Sequence, residues 1–129
     1  MNGLDAAVKS NSLLRTMLEC QLAFLGSRAS TMHVRADKEL WKVGDSATHV
    51  YLVKSGTFRL ASKGGDTKDF VMGALICELD AVLYGINRST GLRSLTAGTV
   101  FSIERSDLAD FFYHYPGMLL ALAEKVYVV

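Results

Sequence analysis

The period of the hydrophobic pattern changes twice along this chain, and this change is the strongest constraint on its fold. Residues 4–25 place apolar side chains at three- and four-residue steps, as helices do. From Met32 onwards, short runs with a two-residue period follow one another, separated by turn signals such as Gly64-Gly65-Asp66. Helical spacing then returns near Ser106. The sequence therefore predicts an α+β, mainly β protein: helices in 4–26, an antiparallel β-roll or jelly roll over 32–104, and two C-terminal helices in 106–128.

Length and composition set the class of protein. A chain of 129 residues, half of them apolar, is large enough for one domain spanning 1–129. Its formal net charge of +1 gives no electrostatic reason to expect nucleic acid or an acidic membrane as a partner. Cys20 and Cys77 are predicted to be reduced core thiols, which suits a cytoplasmic location. No apolar run approaches the ~20 residues that cross a bilayer, so we expect no direct membrane insertion by this segment.

An irregular stretch, Gly73–Ser94, interrupts the β pattern and carries the candidate site. Glu78 lies near its start, and Arg88-Ser89-Thr90 lies near its end. A short helical turn followed by an arginine is suited to one phosphate, because backbone N–H groups and a guanidinium both bind anions. A nearby carboxylate can accept a hydrogen bond from a sugar hydroxyl. A structural ion pair between Glu78 and Arg88, closing the loop, is the alternative interpretation.

Several segments, taken in order, resemble the cyclic nucleotide-binding domain family. Trp41–Asp45 and Val50–Gly56 are similar to the family's roll signature, and Ile76–Leu79 occupies the position of its Phe-Gly-Glu-Leu motif. Leu92–Thr96 is similar to the strand after the family's phosphate arginine. Ser106–Pro116 resembles its B helix, with Tyr-Pro leading into the C helix.

The resemblance covers about residues 13–125, and it implies a fold and a ligand. It implies a phosphate cassette over 73–91 with a short helix, and cAMP or cGMP as the ligand, with no other cofactor. By match to the family motif, Glu78 would accept from the ribose 2′-hydroxyl, Arg88 would pair with the cyclic phosphate, and Ser89 would reach the phosphate or a guanine amino group. The candidate ligand-binding residues are Cys77, Glu78, Leu79, Arg88, Ser89 and Thr90.

The family also implies a role. The Arg93-Ser94-Leu95 segment and the Tyr115–Met118 ending look more like cation-channel members than like bacterial transcription factors. We therefore expect a regulatory module of a larger protein, an ion channel, whose C-terminal helix near Leu122 moves to cover the base. The expected location is cytoplasmic, including the cytoplasmic side of a membrane protein, and a homo-oligomer of the full protein stays open. Neither a catalytic triad order nor a P-loop is present in the sequence, so we do not expect an enzyme.

A second function stays open at this point. Cys77 stands where the family has a glycine whose backbone approaches the sugar, and the spacing from Glu78 to Arg88 is one residue longer than in the channel-like pattern. These departures suit a degenerate homology domain that binds no nucleotide and acts as an interaction or gating scaffold. Its own tail, with Tyr127, would then fill the pocket.

Overall fold

The N-terminal part of the fold is helical, in a computed structural model that describes residues 4–129. Helix α1 (Leu4–Lys9), a 3-10 turn (Leu14–Thr16) and helix α2 (Glu19–Arg28) follow one another. The Asn11 side chain separates them, because its Oδ1 accepts hydrogen bonds from the backbone N–H groups of Leu13 and Leu14, each at 3.0 Å. Asn11 thus divides the helical region predicted over 4–26 just before Leu13. Residues 1–3, which belong to the predicted domain 1–129, lie outside the described residues.

Helix α2 does not end at Gly26, as the sequence suggested, but continues to Arg28. Gly26 serves packing instead of termination: a Cβ atom there would lie 3.1 Å from the Leu4 side chain. The last turn of α2 is held by Arg28, whose guanidinium pairs with Asp107 at 2.9 Å and Asp110 at 3.0 Å. These two ion pairs join α2 to the C-terminal helices.

The centre of the fold is a roll of two antiparallel sheets, which confirms the predicted α+β, mainly β fold class. One sheet has five strands in the order β1-β8-β3-β6-β9, and the other has four in the order β2-β7-β4-β5. The strands of the first sheet are β1 (Ser30–Val34), β3 (His49–Ser55), β6 (Leu75–Ile76), β8 (Gly98–Glu104) and β9 (Tyr127–Val128). Those of the second are β2 (Glu39–Trp41), β4 (Phe58–Ser62), β5 (Thr67–Phe70) and β7 (Thr90–Ser94).

Two apolar cores result from the alternation of side chains along the strands. Along β3, Val53 faces the space between the sheets, where it is fully buried with Phe58 and Phe70. Its neighbour Leu52 faces the other way, into a core shared with the helices and with Phe101. The five-stranded sheet is therefore covered on both faces, which explains the near-continuous burial of β3.

The C-terminal part differs from the prediction in two respects. Helix α4 (Arg105–His114) begins one residue before the predicted 106, because the strand β8, which ends at Glu104, runs straight into it. Helix α5 (Pro116–Leu122) is shorter than the predicted helix to Val128. Ala123 is extended and Glu124 has a left-handed φ of 66°, so the chain reverses there. The residues that follow form β9 against β6 instead of helix.

Two further findings concern the surface. Cys20 is exposed, so its prediction as a core thiol is wrong, while Cys77 is buried as expected; both are free. Within residues 4–129, no helix is both long enough and apolar enough to cross a membrane.

Candidate functional site

The site is built on the loop between β6 and β7, which the structure folds around the short helix α3 (Leu79–Tyr84). Glu78 precedes α3 with left-handed backbone angles, φ 42° and ψ 61°, and Gly85 ends α3 with φ 68°. A left-handed glutamate costs roughly 1–2 kcal/mol, because its Cβ crowds the next carbonyl oxygen. Such a conformation persists only where surrounding contacts fix it. The contacts of Glu78 and of its neighbours Cys77 and Leu79 therefore show what holds this conformation in place.

The Glu78 carboxylate closes the cassette through hydrogen bonds to the returning strand. Its Oε2 accepts from the backbone N–H of Ser89 at 2.9 Å, and its Oε1 accepts from the backbone N–H of Thr90 at 3.2 Å. Thr90 Oγ1 donates to the same Oε1 at 2.5 Å. Glu78 is buried, and no ion pair joins it to Arg88 in the part of the chain that the structure describes. The carboxylate holds the loop, as the alternative interpretation required, but through backbone groups instead of Arg88.

Arg88 is the most unusual group of the site, because its charge is buried without a carboxylate bonded to it. The residue is 3% exposed. Nη1 donates to the Cys77 carbonyl at 2.7 Å, and Nη2 donates to the His49 carbonyl at 2.5 Å. Nε has no hydrogen-bond partner among residues 4–129. Burial lowers the pKa of Arg88, and the nearby Glu78 charge opposes that shift. The Arg88 guanidinium is therefore buried near the Glu78 carboxylate, but its hydrogen bonds go to backbone carbonyls and not to that carboxylate.

Trp41 forms the platform under this arginine. Arg88 Cζ lies 3.7 Å from the centre of the indole, which is close contact for a cation–π pair. The indole Nε1–H donates to Thr90 Oγ1 at 3.2 Å, and the ring stacks on Tyr51 with centroids 5.6 Å apart. Trp41 was not among the predicted ligand-binding residues. Its place in the family's roll signature was the one sequence signal, and it did not indicate that the ring joins Arg88 to Thr90.

The C-terminal segment 123–129, which we call the tail, bonds to the start of the cassette. The Val126 carbonyl accepts from the backbone N–H groups of Cys77 at 2.9 Å and Glu78 at 2.8 Å. The Lys125 carbonyl accepts from the backbone N–H of Leu79 at 3.0 Å. Three consecutive cassette amides, the groups expected to bind a phosphate, therefore donate to the protein's own carbonyl oxygens.

Further contacts fix the tail in this position. Asn11 Nδ2 donates to the Val128 carbonyl at 2.9 Å, and the backbone N–H of Ser12 donates to the Val129 carbonyl at 3.1 Å. The Tyr127 ring packs on Phe70 with centroids 4.9 Å apart. The tail is thus attached at both the N-terminal helices and the rim of the roll.

The remaining predicted site residues lie in different surroundings. Leu79 is buried in the core between the roll and the helices, and the Ser89 side chain is exposed. The Cys77 Sγ lies 3.4 Å from the carbonyl oxygens of both Lys125 and Val126. Burial raises the pKa of Cys77 to about 12, so its thiol stays protonated at neutral pH. Asp80, the second acid of the cassette, turns to the tail and accepts from the Glu124 N–H at 3.3 Å.

A polar cavity of about 260 Å³ is lined in part by Arg88 and by none of the cassette residues 73–87. We call it the outer cavity. Its volume is slightly below the roughly 300–1,000 Å³ of ordinary small-molecule pockets. Its walls include Trp41, Asp45, Thr48, His49, Tyr51 and Arg88.

The site therefore combines a two-sheet roll, a helical cassette, a buried arginine and two C-terminal helices. The sequence model described as "Cyclic nucleotide-binding domain" matches residues 31–115 of this chain. The chain therefore belongs to the cyclic nucleotide-binding domain family. As a member of that family it is a binding module and not a catalytic one.

The relatives that match this chain in sequence are longer proteins. Uncharacterized NTE family proteins from Mycobacterium tuberculosis and Mycobacterium bovis are 31% identical over 131 residues, a match that covers 96% of this chain. The chain spans 22% of the length of these relatives.

Solved structures agree on the fold. A cyclic nucleotide-binding-like protein from Brucella abortus is 25% identical, with a TM-score of 0.67 over 88% of this chain and 99% of that one. The N-terminal domain of a transcriptional regulator from Streptomyces coelicolor gives 0.69 at 21% identity, over 90% and 84% of the two chains. The cAMP-bound PfPKA-R gives 0.72 at 13% identity, over 84% and 40%. None of these three structures is named as a cation channel, the subtype that the sequence suggested.

Proposed function

We propose that this domain is the cyclic-nucleotide-responsive regulatory module of a larger protein, and that the nucleotide phosphate competes with the tail for the cassette. The observation that carries this proposal is the buried Arg88 guanidinium, which has no carboxylate bonded to it and an unpartnered Nε–H. A phosphate beside it would supply the missing negative charge in a place where charge interactions are strong.

The tail explains how such a site stays closed without ligand. The carbonyl oxygens of Lys125 and Val126 occupy the N–H groups of Cys77, Glu78 and Leu79. A backbone carbonyl carries only a partial negative charge, whereas a cyclic phosphate carries a full one, so the phosphate is the stronger acceptor for these amides. Binding of the phosphate at this position requires the tail to leave.

Release of the tail couples the ligand to the rest of the protein. Only residues 123 and 124 separate 125–129 from helix α5, and the Glu124 N–H bonds to Asp80 of the cassette helix. A ligand that binds only the tail-released state shifts the population toward it, and it can do so only by its difference in affinity between the two states. Movement of α5 would carry the signal, in place of the longer C helix that the sequence suggested.

The larger protein is, in this proposal, a member of the NTE family, because relatives with that name match 96% of the chain. The ion channel stays a prediction, as do the cytoplasmic location and a homo-oligomer of the full protein. The choice between cAMP and cGMP also stays open. Ser89 is exposed at the cassette end, where its hydroxyl is free to turn toward a guanine amino group.

A second function is favoured by a specific observation. Both oxygens of Glu78, the residue expected to accept from the ribose, already accept protein hydrogen bonds, and the cassette amides are occupied by the tail. A domain whose Glu78 and cassette amides already have protein hydrogen-bond partners can act as a scaffold that binds no nucleotide, with the tail as a permanent internal ligand.

A calorimetric titration with cAMP and with cGMP separates the two functions. We expect saturable binding that Arg88→Ala weakens by about tenfold or more, because a charge-assisted bond contributes about 1.5–3 kcal/mol. Arg93→Ala is the matched control, since Arg93 is an exposed arginine of β7 paired with Glu39. Equal affinity in a folded Arg88 variant would refute the phosphate assignment. Absence of heat up to millimolar nucleotide, both for the intact domain and after replacement of the tail, would establish the scaffold function.

A further inference from the structure

The outer cavity contains a feature that the nucleotide proposal does not use. Arg88 forms part of its wall, and the same guanidinium donates to the Cys77 carbonyl of the cassette. Only 3% of Arg88 is exposed, and no carboxylate is bonded to its guanidinium in residues 4–129. An oxyanion in the cavity would therefore have a charged partner in Arg88.

We propose that the outer cavity is a second binding site, for a small tetrahedral oxyanion such as inorganic phosphate or a terminal phosphate group. This site shares Arg88 with the proposed nucleotide site but uses none of the cassette amides. It can therefore be occupied while the tail remains bonded to Cys77, Glu78 and Leu79.

The other walls suit an oxyanion. Thr48 places a hydroxyl at the cavity, hydrogen-bonded to His49 Nδ1 at 2.8 Å, and Ser46 and Tyr51 also line it. Burial raises the pKa of Tyr51, so its phenol stays protonated and able to donate at neutral pH. Hydroxyl donors around one guanidinium are a usual way to bind phosphate or sulfate oxygens.

One residue of the cavity wall, Asp45, opposes anion binding, and its replacement therefore provides a test of the site. The Asp45 carboxylate also lines the cavity, and its Oδ2 accepts from the backbone N–H of Lys42 at 2.8 Å. Its negative charge weakens oxyanion binding at this position, and Asn can keep the same hydrogen bond without the charge. A metal ion is a poorer occupant, because Arg88 would repel it and no group of three His, Cys, Asp or Glu that could hold one occurs in residues 4–129.

Trp41 supplies a direct signal for occupancy. It is the one tryptophan of the sequence, it lines the outer cavity, and its ring lies 3.7 Å from Arg88 Cζ. Sodium phosphate and sodium sulfate would be titrated into the intact domain at constant ionic strength, with chloride as the reference anion. We expect a saturable change of tryptophan fluorescence in the millimolar range for phosphate and sulfate, but not for chloride.

Variants then locate the anion. Thr48→Val is expected to weaken phosphate binding several-fold, with Thr67→Val on the exposed face of β5 as the matched control. Asp45→Asn is expected to strengthen phosphate binding several-fold. If the folded wild type gives no saturable signal, or if Thr48→Val and Asp45→Asn both bind phosphate as the wild type does, the outer site is refuted.

The outer site and the proposed nucleotide site can be tested separately. Replacement of residues 125–129 by a Gly-Ser segment is expected to leave phosphate affinity at the outer cavity unchanged, because the tail does not line it. The same replacement is expected to strengthen cAMP binding at the cassette. Phosphate binding that strengthens together with cAMP binding would place the anion at the cassette and overturn the second site.

Discussion

Tyr127 is the side chain that most strongly attaches the tail to the roll, and its removal tests whether the tail is a structural part of the cassette. Its ring packs on Phe70 with centroids 4.9 Å apart and planes tilted by 58°. Lys68 Nζ lies 5.1 Å from the ring centre. The ring is half-buried against these groups. Tyr127→Ala removes both contacts and leaves the tail held by its backbone bonds, by the Asn11 side chain and by the packing of Val126 and Val128.

The expected cost follows from these contacts. The aromatic pair contributes about 0.5–1.5 kcal/mol, and an exposed cation–π contact about 0.5–1 kcal/mol. The loss of half-buried apolar area brings the total to about 2–3 kcal/mol, which is less than the about 3–5 kcal/mol for a fully buried aromatic ring. For a domain of this length we expect the melting temperature to fall by about 8–12 °C.

Thermal unfolding followed by circular dichroism measures this effect against a matched control. Tyr113→Ala removes a tyrosine of α4 that is 84% exposed, so its melting temperature is expected to stay within about 2 °C of the wild type. Equal melting temperatures for the two variants would show that the Tyr127 contacts do not stabilise the fold, and the attachment of the tail through this ring would be refuted.

Two further predictions concern the buried thiol. With the tail in place, only Cys20 of the two cysteines should react with a thiol reagent at neutral pH. Because the Cys77 Sγ lies against the tail carbonyls, replacement of residues 125–129 by a Gly-Ser segment should make Cys77 reactive. A Cys20→Ser background isolates the Cys77 signal, and equal protection of Cys77 with and without the tail would contradict the contact. Burial raises the folded-state pKa of Cys77 from its ordinary value of 9.0 to about 12, so its contribution to stability is fully present below pH 9 and is lost as pH rises toward 12. Urea unfolding at pH 8 to 10.5 should therefore show a steeper loss of stability in the wild type than in Cys77→Ala; parallel curves would count against this burial.

The roll was predictable because its signals are local. Gly64-Gly65-Asp66 and the short alternating runs mark turns and strands within a few residues of one another, and the family pattern orders them. The cassette followed from the same order, with Glu78 and Arg88 at its two ends. The structure places both residues at the site, although it assigns their hydrogen bonds to backbone groups that no motif specifies.

The tail was missed because its structure depends on a distant partner. Leu119, Leu122 and Val126 have helical spacing, which predicted a longer helix. The chain instead reverses at Glu124, and β9 adds to the edge of β6, some fifty residues earlier in the sequence. Strand pairing of this kind depends more on tertiary context than on local preference. The run Val126-Tyr127-Val128-Val129, rich in strand-forming residues, was the one local signal for it.

The stacking of Arg88 on Trp41 was beyond the sequence for a different reason. The two residues are far apart in the chain, and each has an ordinary interpretation by itself. Their contact depends on the register that pairs Trp41 with Leu92, which brings the end of β2 beside the start of β7. Only the folded roll shows that the buried Arg88 guanidinium has no carboxylate bonded to it.

The central claim is that the tail and the nucleotide phosphate share the same cassette amides, and the ratio of two dissociation constants tests it most directly. cAMP would be titrated calorimetrically into the intact domain and into the domain with residues 125–129 replaced by a Gly-Ser segment. Because the tail accepts three cassette hydrogen bonds of about 0.5–1.5 kcal/mol each, we predict at least tenfold tighter binding after replacement. Equal affinities in two folded proteins would contradict the account.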